Sequence, residues 1–397
     1  MLETRIAKEL AYISQAGLAR RITELYFVNP AQAQDRTGKT YLVLASNNYL
    51  GFTHAPEVIE AASRAALKFG TGSSGSRLTT GGTFIASELE KRLADFKHSE
   101  SALVFNTGYM TNLGVLYGLL QTGDVVFSDE LNHASIIDGC RISRCKVVVY
   151  KHNDMADLQR LLETEIVTGQ RFIVTDGVFS MDGDIADLPS LAVLKKQFNA
   201  FLIVDDAHGV GVIGNDGSGT ASHYGLTDVI DLQVGTLSKA LAAEGGYVAG
   251  KKILIDYLIN RSRPFIFSTA LAPATLAAAN AALLLLQTQA SKYIDSLRAN
   301  SRLMRRLLLE GGLNVVEGIT PIIPVVIGEA GLTMQFADRL KSKGILVSGI
   351  RPPTVPRGES RLRITVTAAH CEEQLRQAAQ IITALWQELK HGEKKEG

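Results

Sequence analysis

The sequence has few cysteines and almost no net charge. Its three cysteines, at positions 140, 145 and 371, form no C-x-x-C pair. Such a sparse, odd number argues against a disulfide framework and favours a reducing compartment. The formal net charge is +1, so the composition gives no indication of binding to nucleic acid or to an anionic membrane. No metal site is predicted either.

Long apolar segments are also missing. The N-terminus lacks the apolar stretch of a secretory signal. Residues 270–286 are apolar, but they include Pro273 and Asn280, which favours a buried helix over a membrane span. We therefore expect a cytoplasmic protein.

What the sequence does contain is a regular alternation of strand and helix patterns. Short runs rich in β-branched residues occur at residues 102–105, 124–127, 146–150, 172–175 and 201–204 and in the run that ends at Val234. Helical patterns between most of them predict an α/β fold with a mostly parallel central sheet covered on both faces. We predict an N-terminal helix and arm at residues 1–45, a large α/β domain at 46–286 and a small C-terminal α+β domain at 287–397.

The stretch from Gly235 to Gly246 is the most informative about chemistry. Lys239 lies there among small and hydroxyl-bearing residues, directly after an apolar run. Such an amine can form a Schiff base with a carbonyl if its pKa is lowered, although an ordinary surface lysine fits the local pattern too. Upstream, an apolar strand leads into Asp205, Asp206 and His208. Open α/β sheets bind their ligands at this carboxyl end of the strands.

This combination predicts a site for pyridoxal phosphate (PLP). Lys239 would bind the aldehyde, and Asp205 would keep the pyridine nitrogen protonated. Gly108 and Tyr109 would present backbone N–H groups to the phosphate at a helix start, with Thr236 adding a hydroxyl. Simple helix caps are the alternative reading of Thr107 and Asp205.

Three further polar residues are candidates for contacts with the cofactor ring. His133 could stack on the ring face, and His208 and Ser180 could reach the phenolic oxygen. A structural role is the alternative for each loop histidine.

In the C-terminal region, Arg351 and Arg363 could clamp a carboxylate, because a guanidinium binds it through two hydrogen bonds. Arg361 shares a strand face with Arg363. A solvated edge strand is the alternative. Near the N-terminus, Arg20 and Arg21 close a segment predicted to be helical from residue 1 to about 25. They are either an anion-binding arm or solvated charges at a helix end.

Two glycine patterns are rejected as nucleotide-binding motifs. Residues 70–75 match G-x-G-x-x-G, but a helix precedes them where the dinucleotide motif requires a strand, so a NAD-dependent oxidoreductase is disfavoured. Residues 245–251 have P-loop spacing, but Lys252 stands where the magnesium-binding hydroxyl belongs. A non-catalytic relative of PLP enzymes is also disfavoured, because both Lys239 and Asp205 are present.

The chain resembles the α-oxoamine synthases, PLP-dependent enzymes of fold type I with an aspartate aminotransferase-like architecture. The resemblance covers nearly the whole chain and rests on residues 46–51, 132–139, 175–184, 204–209 and 235–239. It implies the cofactor roles given above, with Lys239, His133, His208 and Asp205 as the catalytic set. It also implies a homodimer with a shared active site, in which Ser268 and Thr269 of the neighbouring subunit reach the phosphate.

Residues 72–81 and 350–363 look like the family member that condenses L-alanine with pimeloyl-CoA, or with its acyl-carrier-protein form, in biotin biosynthesis. The alternative is the member that condenses glycine with acetyl-CoA. The resemblance implies that the substrate-binding residues are Arg20, Asn48, His133, Arg351, Thr354 and Arg363, with Arg363 holding the α-carboxylate. Neither nucleic acid nor membrane is expected as a partner.

Overall fold

The computed structural model describes residues 1–15, 18–20 and 22–396. Its strands are β1 (Tyr26–Asn29), β2 (Gln32–Gln34), β3 (Thr40–Val43), β4 (Ser101–Phe105), β5 (Val125–Asp129), β6 (Lys146–Tyr150), β7 (Arg171–Asp176), β8 (Ala200–Asp205), β9 (Leu232–Thr236), β10 (Gly246–Gly250), β11 (Ile322–Gly328), β12 (Ile345–Leu346), β13 (Ser348–Ile350) and β14 (Ser360–Thr365). Its helices are α1 (Leu2–Gln15), α2 (Pro56–Phe69), α3 (Phe84–Phe96), α4 (Gly108–Leu119), α5 (Ala134–Ser143), α6 (Met155–Thr164), α7 (Leu188–Gln197), α8 (Thr220–His223), α9 (Lys252–Arg261), α10 (Arg263–Ile266), α11 (Pro273–Glu310), α12 (Ala330–Ser342) and α13 (Glu372–Glu396).

A seven-stranded sheet forms the centre of the molecule, in the order β4-β10-β9-β8-β7-β5-β6. Strands β5 to β9 pair in parallel, and β10 runs antiparallel to both of its neighbours. Along β8, Leu202 and Val204 pack into one apolar cluster and Ile203 packs into another. Helices therefore cover both faces, which explains why these strands are continuously apolar. The predicted α/β class with a mostly parallel sheet is confirmed.

Strand β10 was not predicted. Three of its five residues, Gly246, Ala249 and Gly250, are small, so the sequence lacks the β-branched pattern typical of a strand. On the sequence alone, we considered this region only as a possible P-loop, which we rejected. A Cβ on Gly246 would lie 2.6 Å from Cα of Gly108, so the glycine is required by close packing against the start of α4.

Two smaller sheets lie outside the central one. Strands β11, β14 and β13 form an antiparallel sheet with β14 in the middle, and every residue of β14 is buried. Arg361 and Arg363 are therefore not on a solvated edge strand, which was the alternative left open. Strand β12 pairs in parallel with β3 and so joins a sheet with the N-terminal strands β1 to β3.

Helix α11 runs through the boundary proposed near residue 287. Its backbone leaves helical geometry at Gln289, where φ is −135°. The kink lies just beyond the apolar stretch 270–286, which was predicted to be a buried helix. The domain boundaries themselves remain a prediction.

The N-terminal helix is shorter than expected. It was predicted to reach about residue 25, but α1 ends at Gln15 and residues 22–25 are not helical. None of the side chains of α1 is buried, so the described part of the chain does not fully cover the apolar face of this helix. None of the helices in the described ranges combines the length and apolarity that crossing a membrane requires.

Candidate active site

Four parallel strands end at the same edge of the central sheet and place polar residues there. Strands β5, β7 and β8 end in Asp129, Asp176 and Asp205, and β9 ends in Thr236. Asp176 and Asp205 face each other as register partners of neighbouring strands. The loop after β9 carries Lys239. The strand-end residues predicted from the sequence thus meet at one edge, as the fold class requires.

Asp205 is buried, with 6% of its surface exposed. One carboxylate oxygen accepts a hydrogen bond of 2.6 Å from Nδ2 of Asn112, and the other accepts the backbone N–H of Ala207 at 3.0 Å. Both bonds hold the carboxylate in a fixed position. Asn112 was missed by the sequence reasoning. Its one available signal is that it is a polar residue within the largely apolar helix α4.

The amine of Lys239 has the lowered pKa that its predicted role requires. Burial is the main cause; the charges of Asp205 and Asp176 oppose it and that of Arg363 adds to it, and the net effect is to lower the pKa of Lys239 from 10.5 to about 8. At neutral pH a pKa of about 8 leaves roughly a tenth of the amine uncharged. An uncharged amine is the form that attacks a carbonyl.

His133 caps the start of α5. Its backbone N–H donates to Oδ2 of Asp176 at 3.0 Å, and its Nδ1 lies 2.7 Å from Oγ of Ser135. Burial lowers the pKa of the ring; the charge of Asp205 opposes this and that of Lys239 adds to it. The backbone bond to Asp176 fixes the position of His133 at the site.

His208 is buried, and its Nδ1 lies 2.6 Å from the hydroxyl of Tyr49. Burial lowers its pKa well below the usual value, and the positive charges of Lys239 and Arg363 add to this effect. The ring is therefore neutral at physiological pH. Tyr49 is a second contact that the sequence did not predict, because it lies far away along the chain.

The predicted phosphate-binding residues lie together. Thr107 caps α4 by accepting the N–H of Met110 at 3.0 Å, and Gly108 is the first residue of the helix. A Cβ on Gly108 would meet the side chain of Thr236 at 3.4 Å, so the helix start lies directly beside Thr236. Tyr109 is exposed, and its hydroxyl donates to Asp138. A helix N-terminus beside a buried hydroxyl is a suitable phosphate site.

Ser268 and Thr269 lie close to this region within the same chain. The backbone carbonyl of Thr269 accepts a hydrogen bond of 2.7 Å from Nδ2 of Asn106, just before α4. Thr269 also bridges to Ser76 of the glycine-rich loop, which follows helix α2 rather than a strand. The role of Ser268 and Thr269 across a dimer stays a prediction.

Arg363 is buried and held by three partners. Its Nε donates to the carbonyl of Ser180 at 2.5 Å, and its Nη atoms donate to Thr365 at 3.0 Å and to Asn47 at 3.1 Å. The asparagine in contact with Arg363 is therefore Asn47, which the sequence reasoning did not select. The contact of Ser180 is through its backbone, and the role of its hydroxyl stays a prediction.

Asn48 is buried beside this group, with its Nδ2 on the hydroxyl of Thr53 at 2.8 Å. Its Oδ1 has no hydrogen-bond partner among the described residues. Its contact with substrate stays a prediction.

The remaining predicted substrate residues line one cavity of about 780 Å³. It brings Arg20, Arg351 and Thr354 together, and Met181 connects it to the loop that carries Ser180. Leu10, Ile13 and Leu18 make much of the lining apolar. Arg21, the alternative to Arg20, lies outside the described residues.

The donor set fits PLP on chemical grounds. A buried carboxylate, an amine of lowered pKa and a helix N-terminus beside Thr236 match the ring nitrogen, the aldehyde and the phosphate, respectively. In the described parts of the chain, no cluster of three or more His, Cys, Asp or Glu side chains is arranged to hold a metal ion.

Comparison with known proteins agrees with this geometry. Residues 39–382 match the family model described as aminotransferase class I and II. The chain is 47% identical over 374 residues to 8-amino-7-oxononanoate synthase from Lysinibacillus sphaericus, an alignment that covers 94% of this chain and 96% of the relative.

Solved structures give the same result. A high-resolution structure of serine palmitoyltransferase (SPT) with PLP matches this chain with a TM-score of 0.92 and 31% sequence identity, and the match covers 97% of each chain. The crystal structure of 8-amino-7-oxononanoate synthase from Francisella tularensis has a TM-score of 0.76 and 30% identity, covering 89% of this chain and 98% of the other. The chain belongs to the aminotransferase class I and II family and, within it, to the α-oxoamine synthases. The predicted family and its fold type are thereby confirmed.

Proposed function

We propose that this protein is a PLP-dependent acyltransferase of biotin biosynthesis. It condenses L-alanine with pimeloyl-CoA, or with pimeloyl-acyl carrier protein, to give 8-amino-7-oxononanoate, free CoA or carrier, and CO2. The choice of this reaction is carried by the identity of 47% over nearly the full length to a relative named for its product. The predicted cofactor and enzyme class are confirmed by the family and by the PLP in a structural neighbour.

When bound, PLP withdraws electrons from the α-carbon of the amino acid, and this makes the carbanion chemistry possible. Lys239 would provide the amine that holds the aldehyde, and its free amine would accept the α-proton of alanine. Its lowered pKa suits both tasks, because a base works best when its pKa lies near the working pH.

A buried carboxylate would keep the pyridine nitrogen of PLP protonated. Asp205 supplies the carboxylate, and Asn112 holds it in position from α4. His133 provides a flat surface for the ring, and the neutral His208, held by Tyr49, provides a hydrogen bond to the phenolic oxygen. Thr236 and the N-terminus of α4 at Gly108 bind the phosphate.

The substrates are held by arginines. Arg363 is fixed by Asn47, Thr365 and the Ser180 carbonyl, so its guanidinium is pre-organised for the α-carboxylate of alanine. The cavity lined by Arg20 and Arg351 is largely apolar, which suits a seven-carbon acyl chain that ends in a carboxylate.

The proposed assembly is a homodimer in which Ser268 and Thr269 complete the phosphate site of the neighbouring subunit. The structural neighbours are PLP enzymes of the same fold. Phe84 and Phe267 are exposed apolar residues, and a second subunit could cover them. Cytoplasmic location is part of the proposal, since the sparse cysteines favour a reducing compartment.

Thiol release tests the reaction directly. Purified protein with PLP is given L-alanine and pimeloyl-CoA, and in parallel glycine and acetyl-CoA, and free CoA is followed with a thiol reagent. We expect faster release with the first pair and an amino-oxo acid product by mass spectrometry. Faster release with glycine and acetyl-CoA would replace the proposal by glycine C-acetyltransferase.

A further inference from the structure

His152 lies between two carboxylates at the carboxyl edge of the central sheet. Its Nδ1 is 2.9 Å from Oδ1 of Asp129, and its Nε2 is 2.8 Å from Oδ2 of Asp184. Both nitrogens therefore face acceptors, and a ring that donates from both carries a positive charge. The ring also packs edge-on against Phe179, with centroids 4.3 Å apart.

The charged state of this ring follows from its surroundings. Burial alone would lower the pKa of His152, but the hydrogen bonds and charges of Asp129 and Asp184 raise it to about 10. Its own backbone N–H donates to Glu130, a third acidic residue. His152 therefore stays protonated across the physiological range.

Each carboxylate belongs to a loop that carries a candidate active-site residue. Asp129 ends β5, and its Oδ1 also accepts the N–H of Leu131, so it shapes the turn that leads to His133. Asp184 lies in the loop after β7, where its backbone carbonyl accepts the N–H of Phe179, the residue before Ser180. Ser180 in turn provides the carbonyl that holds Arg363.

We propose that His152 is a positioning residue for cofactor and substrate binding. Its doubly hydrogen-bonded ring clamps the loop that carries His133 to the loop that carries Ser180. It thereby fixes the distance between His133, which would stack on the cofactor ring, and Arg363, which would hold the α-carboxylate. This inference rests on the proposed function, because it assigns the two loops to the PLP site. None of the three groups that form the clamp contacts the cofactor in the roles assigned above.

The clamp is tested with two variants. His152→Gln replaces the ring, and Asp184→Asn weakens the hydrogen bond to Nε2 of that ring. Glutamine has one donor end, so one carboxylate loses its hydrogen bond from residue 152, while the bonds that Asn153 donates to Asp129 and Asp184 remain. His223→Gln is the matched control, since His223 is exposed and packs beside Tyr224 away from the site. The PLP dissociation constant of each apoprotein is measured by absorbance, together with the wavelength of the bound cofactor and the melting temperature.

We expect PLP binding to weaken about tenfold in both clamp variants, as is typical when an outer partner of a binding residue is lost. The double variant should lose little more than either single one, because both changes break the same bridge. PLP affinity within twofold of wild type in folded His152→Gln would overturn the inference. Failure of wild type and His223→Gln to bind PLP would instead overturn the proposed function.

A measurement on the wild-type apoprotein covers the case in which the variants do not fold. Long-range 1H–15N spectra distinguish a doubly protonated imidazole from a neutral one. At pH 8 we expect one histidine that is still doubly protonated and stays so until about pH 10. If every histidine ring is neutral at pH 8, the clamp as described does not exist.

Discussion

Replacing Lys97 by methionine should destabilise the fold strongly. Lys97 follows α3 and is 0% exposed, and its Nζ lies 3.0 Å from Oδ2 of Asp206, which is 1% exposed. Lys97 also donates to the carbonyl of Ser218. Removing one partner of a buried pair leaves the other charge uncompensated and costs about 3–5 kcal/mol.

The structure indicates the lower end of that range. In the variant, Asp206 keeps hydrogen bonds from the backbone N–H of Thr220 at 3.0 Å and from its hydroxyl at 2.9 Å. Its carboxylate therefore loses the ammonium but not all of its donors. We expect a loss of about 3 kcal/mol in the free energy of unfolding at pH 8.

The loss should also depend on pH. Burial raises the pKa of Asp206, and Lys97 opposes this, so the pKa of Asp206 rises further in the variant. The folded variant then binds more protons than the unfolded chain between about pH 4 and the raised pKa, and its stability falls as pH increases through that window. The deficit should be smaller at pH 5 than at pH 8.

Urea unfolding of the apoproteins measures both effects, with Lys91→Met as the control. Lys91 is an exposed residue of the same helix region, so its replacement should change stability by less than about 0.5 kcal/mol. If Lys97→Met lost no more than the control, or lost more at pH 5 than at pH 8, the reasoning about the buried pair would be refuted.

Two further predictions concern the site. The rate at which the apoprotein captures PLP should rise about tenfold per pH unit and level off near pH 8, because the pKa of Lys239 is lowered from 10.5 to about 8; stopped-flow absorbance would show this, and a midpoint near 10.5 would contradict it. Arg363→Lys should reduce kcat/KM for alanine by about 10- to 100-fold, since lysine cannot make the three fixed contacts of the guanidinium. Steady-state kinetics with an unchanged KM for the thioester would support the assignment, and an unchanged KM for alanine would oppose it.

The parts of the site that follow directly after strands could be predicted from the sequence. Asp205, Thr236 and Lys239 lie next to apolar runs, and parallel strands necessarily bring such residues to one edge. The same reasoning gave the parallel sheet, because strands buried on both faces have continuous apolar sequences.

The supporting contacts could not be predicted. Asn112 reaches Asp205 from a helix 93 positions away, and Tyr49 reaches His208 across 159 positions. Such contacts depend on how helices pack over the sheet, and a single sequence gives no local signal for them. The choice between Asn47 and Asn48 is of the same kind, because the backbone direction at that turn decides which amide faces Arg363.

The most direct test of the account is to identify the lysine that binds PLP. The holoprotein is reduced with borohydride, digested and analysed by mass spectrometry. We expect a yellow protein that loses its visible band on reduction and carries the pyridoxyl group on Lys239 alone. A colourless protein that cannot be reconstituted, or a label on another lysine, would contradict the central claim.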